Sequence, residues 1–571
     1  MKILGLNYGG HDTSAALTID GDLIAACEQE RYDYVKHSRN FPIEAIFDCL
    51  KKANLKINDI DIVSLGHNPI LENKYRYFDL AFSIKERSKF IETDIERIKR
   101  NFYYEEFLRS KLKFKNKIEF NNHHLCHLYS AFIPSSFKKS LVISYDGLGE
   151  IHTAQFGIGN KKKIKVIHDQ NKFPHSLGLI YSAITDFLGW KHHCDEGIIM
   201  GLAPYGNYNS KLKRFNETYI NYFRKFVTID KKDPLKYIID FSYFGYNLNR
   251  DSWVTKKFNR IFGHKRTPNS ILKSHHKNIA AALQKRIEEI VIFQIRYLKQ
   301  LYKIDYLCIA GGLGLNCSLN GKIEKEKIFK KIFIQPASGD SGLAYGSCIV
   351  SNINNNVKLK TRRIDFYKGY SDRNISILKN IKLSKLYYKK INNYSLVADF
   401  LLKGKIISWF QDSAEFGPRA LGNRSILSRP YPLSIKDHIN KNVKFREYFR
   451  PFAPAIMKEY LYDYFEINQE SDHMLIACKV KKNKKKFIPA TVHIDNSCRV
   501  QSVSKKTNKK FWLLLNEFYK LSKVPVLLNT SFNIKGQPIV NNSLDAIKCF
   551  KKYKIDYLVI DNFILSKKND L

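Results

Sequence analysis

Two stretches of this chain follow the same order of apolar runs and turns. In the first, Ile3–Leu6 is apolar, Gly9-Gly10 turns, Ser14–Ile19 runs on, Asp20-Gly21 marks a hairpin and Leu23–Cys27 follows. In the second, Leu141–Tyr145 leads into Asp146-Gly147-Leu148-Gly149, His152–Ile158 extends, Gly159-Asn160 turns and Lys161–Ile167 closes the run. A repeat constrains architecture more than any single element, because each copy must bury its apolar face in the same way. Later, apolar residues at three- and four-residue spacing predict a helix over Asn278–Leu301, then a strand, Tyr306–Ala310, ending in Gly311-Gly312-Leu313-Gly314. A strand that ends in glycines lets backbone approach a ligand closely, as at the active edge of α/β sheets. The polar run Ser351–Arg363 (SNINNNVKLKTRR) reads as a junction between a first region, 1–355, and a second α/β region, 366–571, with buried strands at Ile406–Phe410 and Val524–Leu528.

Composition removes several classes. With 571 residues, 44% hydrophobic and 13% aromatic, the chain can bury a large core and is not disordered. No run approaches the roughly 18 apolar residues of a membrane span. The opening MKILGLNYGGHD has no apolar signal core, so a cytoplasmic protein is expected. The ten cysteines form no CxxC pair, which fits reduced thiols. The net charge of +42 invites a nucleic-acid reading, but the basic residues are spread out and accompany abundant Lys, Ile, Asn, Tyr and Phe, the bias of an AT-rich genome. Anionic small substrates are the better use of such a field.

Chemistry concentrates in a few clusters. In Asn121-Asn122-His123-His124-Leu125-Cys126-His127, a helix would put His123 and His127 one turn apart on one face, a geometry for two metal ligands, with His124 pointing elsewhere. A surface or capping histidine group is the plainer alternative. Asp340, in the turn after the strand Ile332–Gln335, is the candidate third ligand, or else a helix cap. The carboxylate pair Asp195-Glu196 reads as caps or salt-bridge partners. Arg419 and Arg424 flank rigid turns in EFGPRALGNRS, and Arg446 and Arg450 lie among aromatics in FREYFRPF. His493, Arg499 and Gln501 follow, and the strand Val524–Leu528 ends in a polar tip, Asn529-Thr530-Ser531-Phe532-Asn533. Arginine is the minority cation here, and its fork matches phosphate oxygens two at a time, so an anion pocket is expected.

These residues resemble the O-carbamoyltransferases of the NodU/CmcH type, which include the tobramycin and cephamycin carbamoyltransferases. The likeness runs through GHDTSAAL, EQERYDYVKH, HHLCH, SYDGLGE, PHSLGLIYSAITDFLG, DEGIIMGLAPYG, GGLGLNCSLNGKI, SGDSGLAYG, AEFGPRALGNRSIL, FREYFRPFAP, HIDNSCRVQSV and LNTSFN, over nearly the whole chain. The resemblance implies a duplicated actin-like ATPase domain, similar to the tRNA threonylcarbamoyl transferase, followed by a smaller YrdC-like α/β domain. It implies that carbamoyl phosphate and ATP give carbamoyl adenylate in the second domain, and that a hydroxyl of a sugar or natural product takes the carbamoyl group in the first.

Carried over, His123, His127 and Asp340 would hold a divalent metal, with Asp146 contacting metal or phosphate. Iron is the first choice, manganese or zinc the alternatives, and Mg2+ would accompany ATP. Gly10, Gly311, Gly312, Asn316 and Arg419 would line the ATP or adenylate site. His11 would be the base for the acceptor hydroxyl, with Asp12 beside it. Lys36, Arg419, Arg450, Arg499, Asn529 and Ser531 would grip carbamoyl phosphate, with Arg424 and Arg446 as second choices. One departure stands out: the family usually carries a lysine where this chain has Ile198. The expected partners are ATP, carbamoyl phosphate and a hydroxyl-bearing acceptor, without nucleic acid and compatible with a homodimer. A tRNA-modifying carbamoyl-type transferase and a non-catalytic nucleotide-binding protein of the same fold are the alternatives.

Overall fold

The first repeat folds as an antiparallel meander, β1 (Lys2–Asn7), β2 (Ser14–Ile19) and β3 (Asp22–Glu28), in which Asn7 pairs with Ser14 across the Gly9-Gly10 turn. β4 (Ile62–Leu65) and β5 (Lys117–Phe120) extend it in parallel, in the order β3-β2-β1-β4-β5. The second repeat does the same. β6 (Lys139–Tyr145), β7 (His152–Asn160) and β8 (Lys163–Lys172) form the meander, and β9 (Tyr306–Ala310) and β10 (Lys331–Ile334) run parallel beyond β6, giving β8-β7-β6-β9-β10. Two five-stranded sheets with one strand order and one set of directions are the duplicated actin-like architecture, and the match is visible in the strands alone.

The structure is a computed structural model that describes residues 1–212, 214–360 and 363–571. The chain divides into two compact units. The first contains Met1–Ala25, Cys49–Leu319 and Lys327–Ile364; the second contains Ala26–Asp48, Asn320–Glu326 and Asp365–Leu571. In the first, helix α1 (His123–Phe132) precedes β6, the long helix α2 (Ser274–Tyr302) precedes β9, and α3 (Leu343–Asn354) follows β10. Helix α3 lies backbone to backbone against both β1 and α1. A Cβ on Gly5 would come within 1.9 Å of the Ala344 carbonyl oxygen, and one on Gly346 within 2.2 Å of the Cys126 oxygen. Two glycines therefore set this packing distance.

The polar run expected as a junction begins inside α3. Ser351 and Asn352 are buried, the Ser351 hydroxyl 2.8 Å from that of Ser64 and the Asn352 amide donating to Thr18 at 3.0 Å. Polar side chains with internal partners continue a helix into the core, where polarity alone suggests a loop. Thr361 and Arg362, near the end of that run, lie outside the described residues.

The second unit is built on a mixed eight-stranded sheet of β11 (Tyr387–Lys390), β12 (Ile407–Phe410), β13 (Arg424–Ser428), β14 (Ala453–Met457), β15 (Gln501–Val503), β16 (Val526–Ser531), β17 (Tyr557–Ile560) and β18 (Phe563–Ser566). Their order is β11-β18-β17-β12-β13-β16-β14-β15. Ile377, Ile406, Phe410, Ile426, Leu528, Phe550 and Leu558 share its core. The strand expected at Val524–Leu528 is displaced. Pro525 lacks the N–H that a ladder needs, so pairing starts at Val526, and it continues through Asn529, Thr530 and Ser531 against Leu427, Ile426 and Ser425. The supposed polar tip is the second half of the strand. Among the described residues no helix is long and apolar enough to cross a membrane.

Candidate functional site

Both repeats place their turns next to a cluster of histidine and aspartate in the first unit. Asn122 caps α1 by accepting from the Leu125 N–H at 2.9 Å, and Glu150 accepts from the His123 N–H at 3.1 Å and the Asn68 N–H at 2.9 Å. The cap fixes the helix start, and with it the face that carries His123 and His127. Asp146, at the end of β6, accepts from the Gly312 N–H at 2.7 Å through Oδ1, which leaves Oδ2 at 3.1 Å from Nε2 of His123. Gly311 has φ +81°, and a Cβ there would meet the Tyr145 carbonyl oxygen at 2.2 Å, so the second glycine turn exists only without a side chain. Asp340 follows β10, its Oδ1 3.8 Å from Nε2 of His123 and 3.7 Å from Nε2 of His127.

The cluster fits a divalent cation. The two Nε2 atoms face each other at 3.1 Å, where at most one can donate, and two carboxylates lie beside them. One ligand atom from each of His123, His127, Asp146 and Asp340 lies within 4.8 Å of the others. A mixed set of imidazole nitrogens and carboxylate oxygens suits iron, manganese or zinc. Burial opposes charge on His127, but Asp146 and Asp340 outweigh it and raise its pKa to about 9. Burial likewise opposes ionisation of Asp146, yet His123 and His127 hold that carboxyl well below its ordinary range. His124 belongs to the scaffold. Its Nε2 donates to the His152 carbonyl at 2.8 Å and its Nδ1 accepts from Ser144 at 3.0 Å, and burial, followed by His123 and His127, holds its pKa well below the usual histidine value.

The first glycine turn brings His11 to the same cluster. The Asn7 side chain donates to the carbonyls of His11 and Asp12, at 3.0 and 2.9 Å, and Asp12 takes φ +56°. Ser14 donates to the Ser341 carbonyl at 2.8 Å and ties this turn to that of Asp340. Nδ1 of His11 lies 2.8 Å from Asp12, and Nε2 lies 3.9 Å from Asp340. Burial disfavours its charge, but Asp340 and Asp12 raise it to about 9. Gly10 is the neighbour of Asp340 in this turn, 4.0 Å from Oδ2 to a built Cβ. Asn316 has its amide paired with Gln284 (2.9 and 3.2 Å) and accepts from the Leu319 N–H, so the side chain proposed for adenosine serves first as a helix brace.

The second unit gathers cations separately. Lys444 is buried and donates to the Ser531 carbonyl at 2.8 Å, and to the Asn533 carbonyl and side-chain oxygen, each at 2.6 Å. Burial, followed by Arg446 and Arg450, pushes its pKa well below the usual lysine value, and burial with Arg450 and Arg499 does the same to Arg446. Arg446 donates to Asn440 at 2.8 Å and lies over the Phe452 ring; Arg450 has Glu447 at 3.8 Å. The Nε of Arg499 is buried and meets no hydrogen-bond partner among the described residues. Asn529 donates to the Ala420 carbonyl and to Gln501, and its Oδ1 is buried without a partner, while the Ser531 hydroxyl lies 2.6 Å from Asn533. Lys36 is exposed and Arg419 half-buried.

Arg424 is not available to a ligand. Its guanidinium is fully buried over the Phe410 ring, and all five N–H groups go to the carbonyls of Asn541, Gln411, Asn423, Tyr370 and Asp412. Glu415 shapes the loop that carries Arg419, its Oε1 accepting from the N–H groups of Leu421, Asn423 and Arg424. Neither Lys444 nor Glu415 has a role in the sequence reading. The available signals were a lysine two places before Arg446, and a carboxylate opening a loop of small residues.

The duplicated sheets define an actin-like α/β protein, and the buried His/Asp cluster between its glycine turns is a candidate cation site. The chain belongs to the carbamoyltransferase family: the family's N-terminal model matches residues 2–349 and its C-terminal model residues 398–567. Nodulation protein NolNO of Sinorhizobium fredii is 33% identical over 98% of this chain and 79% of its own length. An uncharacterized protein of Synechocystis sp. is 34% identical over 99% of this chain and 96% of its own length. Among solved structures, HypF of T. kodakarensis is 9% identical, covers 63% of this chain with 48% of its own length matched, and has a TM-score of 0.35. The chain is therefore a transferase of carbamoyl groups.

Proposed function

We propose that the chain is an ATP-dependent O-carbamoyltransferase that works through carbamoyl adenylate. Phosphate and pyrophosphate both leave only if carbamoyl phosphate loses its phosphoryl group to water and the resulting carbamate oxygen then displaces pyrophosphate from the α-phosphorus of ATP. This step belongs to the second unit. The observation that carries it is the packing of Lys444, Arg446, Arg450 and Arg499: burial first, and then the neighbouring cations, hold Lys444 and Arg446 well below their ordinary pKa. Buried like charges are costly unless an anion joins them, and polyphosphate is the anion such forks fit.

In the first unit an acceptor hydroxyl attacks the carbamoyl carbon, AMP leaves, and the proton passes to Nε2 of His11. A base must be neutral to act. Asp340 keeps His11 charged to about 9, and committing Asp340 to a cation with His123 and His127 lowers that hold. A divalent cation bound there would polarise a phosphate or carbonyl oxygen. Gly10, Gly311 and Gly312 allow backbone to approach the nucleotide, and Lys36, Arg419, Asn529 and Ser531 complete the phosphate grip. Regions 1–355 and 366–571 would be the transfer and adenylating domains.

The deciding experiment is incubation with ATP and carbamoyl phosphate, read as pyrophosphate. Release that requires both substrates is expected. Activity only with tRNA and threonylcarbamoyl adenylate would move the chain to tRNA modification, and no release from any mixture would make it a binding protein.

A further inference from the structure

The even spread of basic residues along the chain has one departure. In the second unit the strands Ala477–Val480 and Ser497–Arg499 pair antiparallel, and the connection between them, 481–496, reads KKNKKKFIPATVHIDN, with five lysines and one aspartate. It is folded. The Lys481 N–H donates to the Tyr464 carbonyl at 2.9 Å, Lys482–Phe487 forms a 3-10 segment, and the Ala490 N–H donates to the Pro430 carbonyl at 3.0 Å. Ile488 and Ala490 are buried and anchor the run from beneath. Like charges are thereby held within about two turns, where a loose chain would let them spread. Asp495, the one acid, lies 3.5 Å from Lys479, outside the run. Among the described residues none of the five lysines forms an ion pair. Lys482 and Lys486 are exposed, and Lys481, Lys484 and Lys485 half-buried. Nζ of Lys484 lies 4.9 Å from the Tyr464 ring centre and that of Lys486 5.2 Å from Phe487. Apolar side chains stand out beside this charge. Phe487 is 38% exposed, and Ile494 is 57% exposed at the tip of a turn closed by the Asn496 N–H on the His493 carbonyl at 2.9 Å. A bond from the Val480 N–H to the Asn496 carbonyl at 3.0 Å brings that turn back beside the start of the lysine run.

We infer that the connection 481–496 is a docking face for an anionic lipid bilayer, with the lysines over the headgroups and Phe487 and Ile494 entering the interface. The residue types select this partner. A lysine ammonium is a compact point charge without a fork, which suits the diffuse negative potential of a charged leaflet. Reading of base edges and bidentate grip of phosphate call for arginine, and this connection has none. An exposed apolar tip gains nothing from a polyanion dissolved in water, whereas a bilayer buries it. A polybasic cluster or a small apolar insertion is weak alone, and the two together hold a protein reversibly at a membrane. The inference is independent of the adenylate mechanism and of the residues assigned to it.

The test is sedimentation of the full chain with extruded vesicles of phosphatidylcholine alone and of phosphatidylcholine with one-third phosphatidylglycerol. The chain should pellet with the anionic vesicles at about 0.1 M salt and stay in solution with the neutral ones. It should come off at about 1 M salt, where the screening length falls to about 3 Å. Each lysine near a charged leaflet is worth about fivefold, so Lys482→Gln/Lys485→Gln/Lys486→Gln should weaken binding about a hundredfold. Ile494→Ser should weaken it about tenfold and leave the salt dependence as it was. Lys379→Gln/Lys382→Gln/Lys389→Gln removes the same charge from exposed positions elsewhere in the second unit and should bind within about threefold of the parent. If the first triple variant shows no cooperative melting, Lys482→Gln/Lys486→Gln replaces it, with a loss of about thirtyfold. Absence of binding to anionic vesicles, equal binding to neutral ones, or equal losses from the two triple variants would each overturn the inference. So would an RNA duplex that binds with the same dependence on the three lysines, displaces the vesicles and is indifferent to Ile494→Ser, since the loop would then be a nucleic-acid site.

Discussion

Replacing Glu415 by glutamine tests how the loop carrying Arg419 is held. Oε1 accepts three main-chain N–H groups, from Leu421 at 2.7 Å, Asn423 at 2.9 Å and Arg424 at 3.2 Å, in a buried place. Bonds to a charged acceptor are worth about 1.5–3 kcal/mol each and neutral ones about 1 kcal/mol. An amide oxygen in the same position keeps the geometry and loses the difference, roughly 2–4 kcal/mol over three bonds after allowing for non-additivity. The buried Arg31 guanidinium, which this carboxylate helps keep charged, loses support as well. Hydrogen exchange followed by mass spectrometry on peptides covering Glu415–Ser428 reads this directly. The three amides should exchange about 30- to 1000-fold faster, as that free energy dictates. If Arg419 holds a phosphate as proposed, pyrophosphate formation should fall at least tenfold when its loop shifts. Unchanged protection with unchanged pyrophosphate release would show that the carboxylate does not shape the loop.

Three further outcomes are expected. His127→Ala should strip bound metal, measured by elemental analysis after dialysis, and cut acceptor carbamoylation at least ten- to a hundredfold; full metal content would make the His123–His127 face an ordinary helix surface. His11→Asn should still release pyrophosphate but transfer about a hundredfold more slowly, since it cannot take up a proton; transfer within a few-fold of the parent would shift the base to Asp12 or Asp146. Glu72 is buried, and although burial opposes its charge, Arg97 and Arg76 lower its pKa to about 2. A depressed carboxylate contributes stability above its unfolded pKa near 4.5 and loses it as pH falls toward 2, so parent and Glu72→Gln should differ by about 3 kcal/mol at pH 6 and converge near pH 2. Denaturant melts at the two pH values measure it, and a difference independent of pH would exclude the ion pairs as the cause.

Much of this was legible in the chain. The two glycine-turn meanders appear where the apolar runs alternate with Asp/Gly pairs, and the His123–His127 spacing survives as one helix face because Asn122 caps it. What escaped reading were polar residues whose partners are remote in sequence. Ser351 and Asn352 look like a linker until Ser64 and Thr18 are beside them. Asn529–Ser531 look like a tip until β13 pairs with them. Arg424 looks like a phosphate ligand until five carbonyls from four separate stretches converge on it. Local sequence reports side-chain type and period, whereas satisfaction of a buried polar group is decided by distant backbone.

The membership of Ala26–Asp48 in the second unit has a consequence for synthesis. Arg31 donates to the Gly417 carbonyl at 2.8 Å, Tyr34 to Asp545 at 2.6 Å, and the Ala26 N–H to the Lys368 carbonyl at 3.1 Å. All of these acceptors leave the ribosome more than three hundred residues later. At about 5–20 residues per second, this stretch waits roughly 17–100 s for its partners. Ala26 and Cys27, at the head of that stretch, are both buried in the finished fold. A gene divided near residue 365 would leave its downstream product without Ala26–Asp48, so the seam in the sequence is not the seam in the fold.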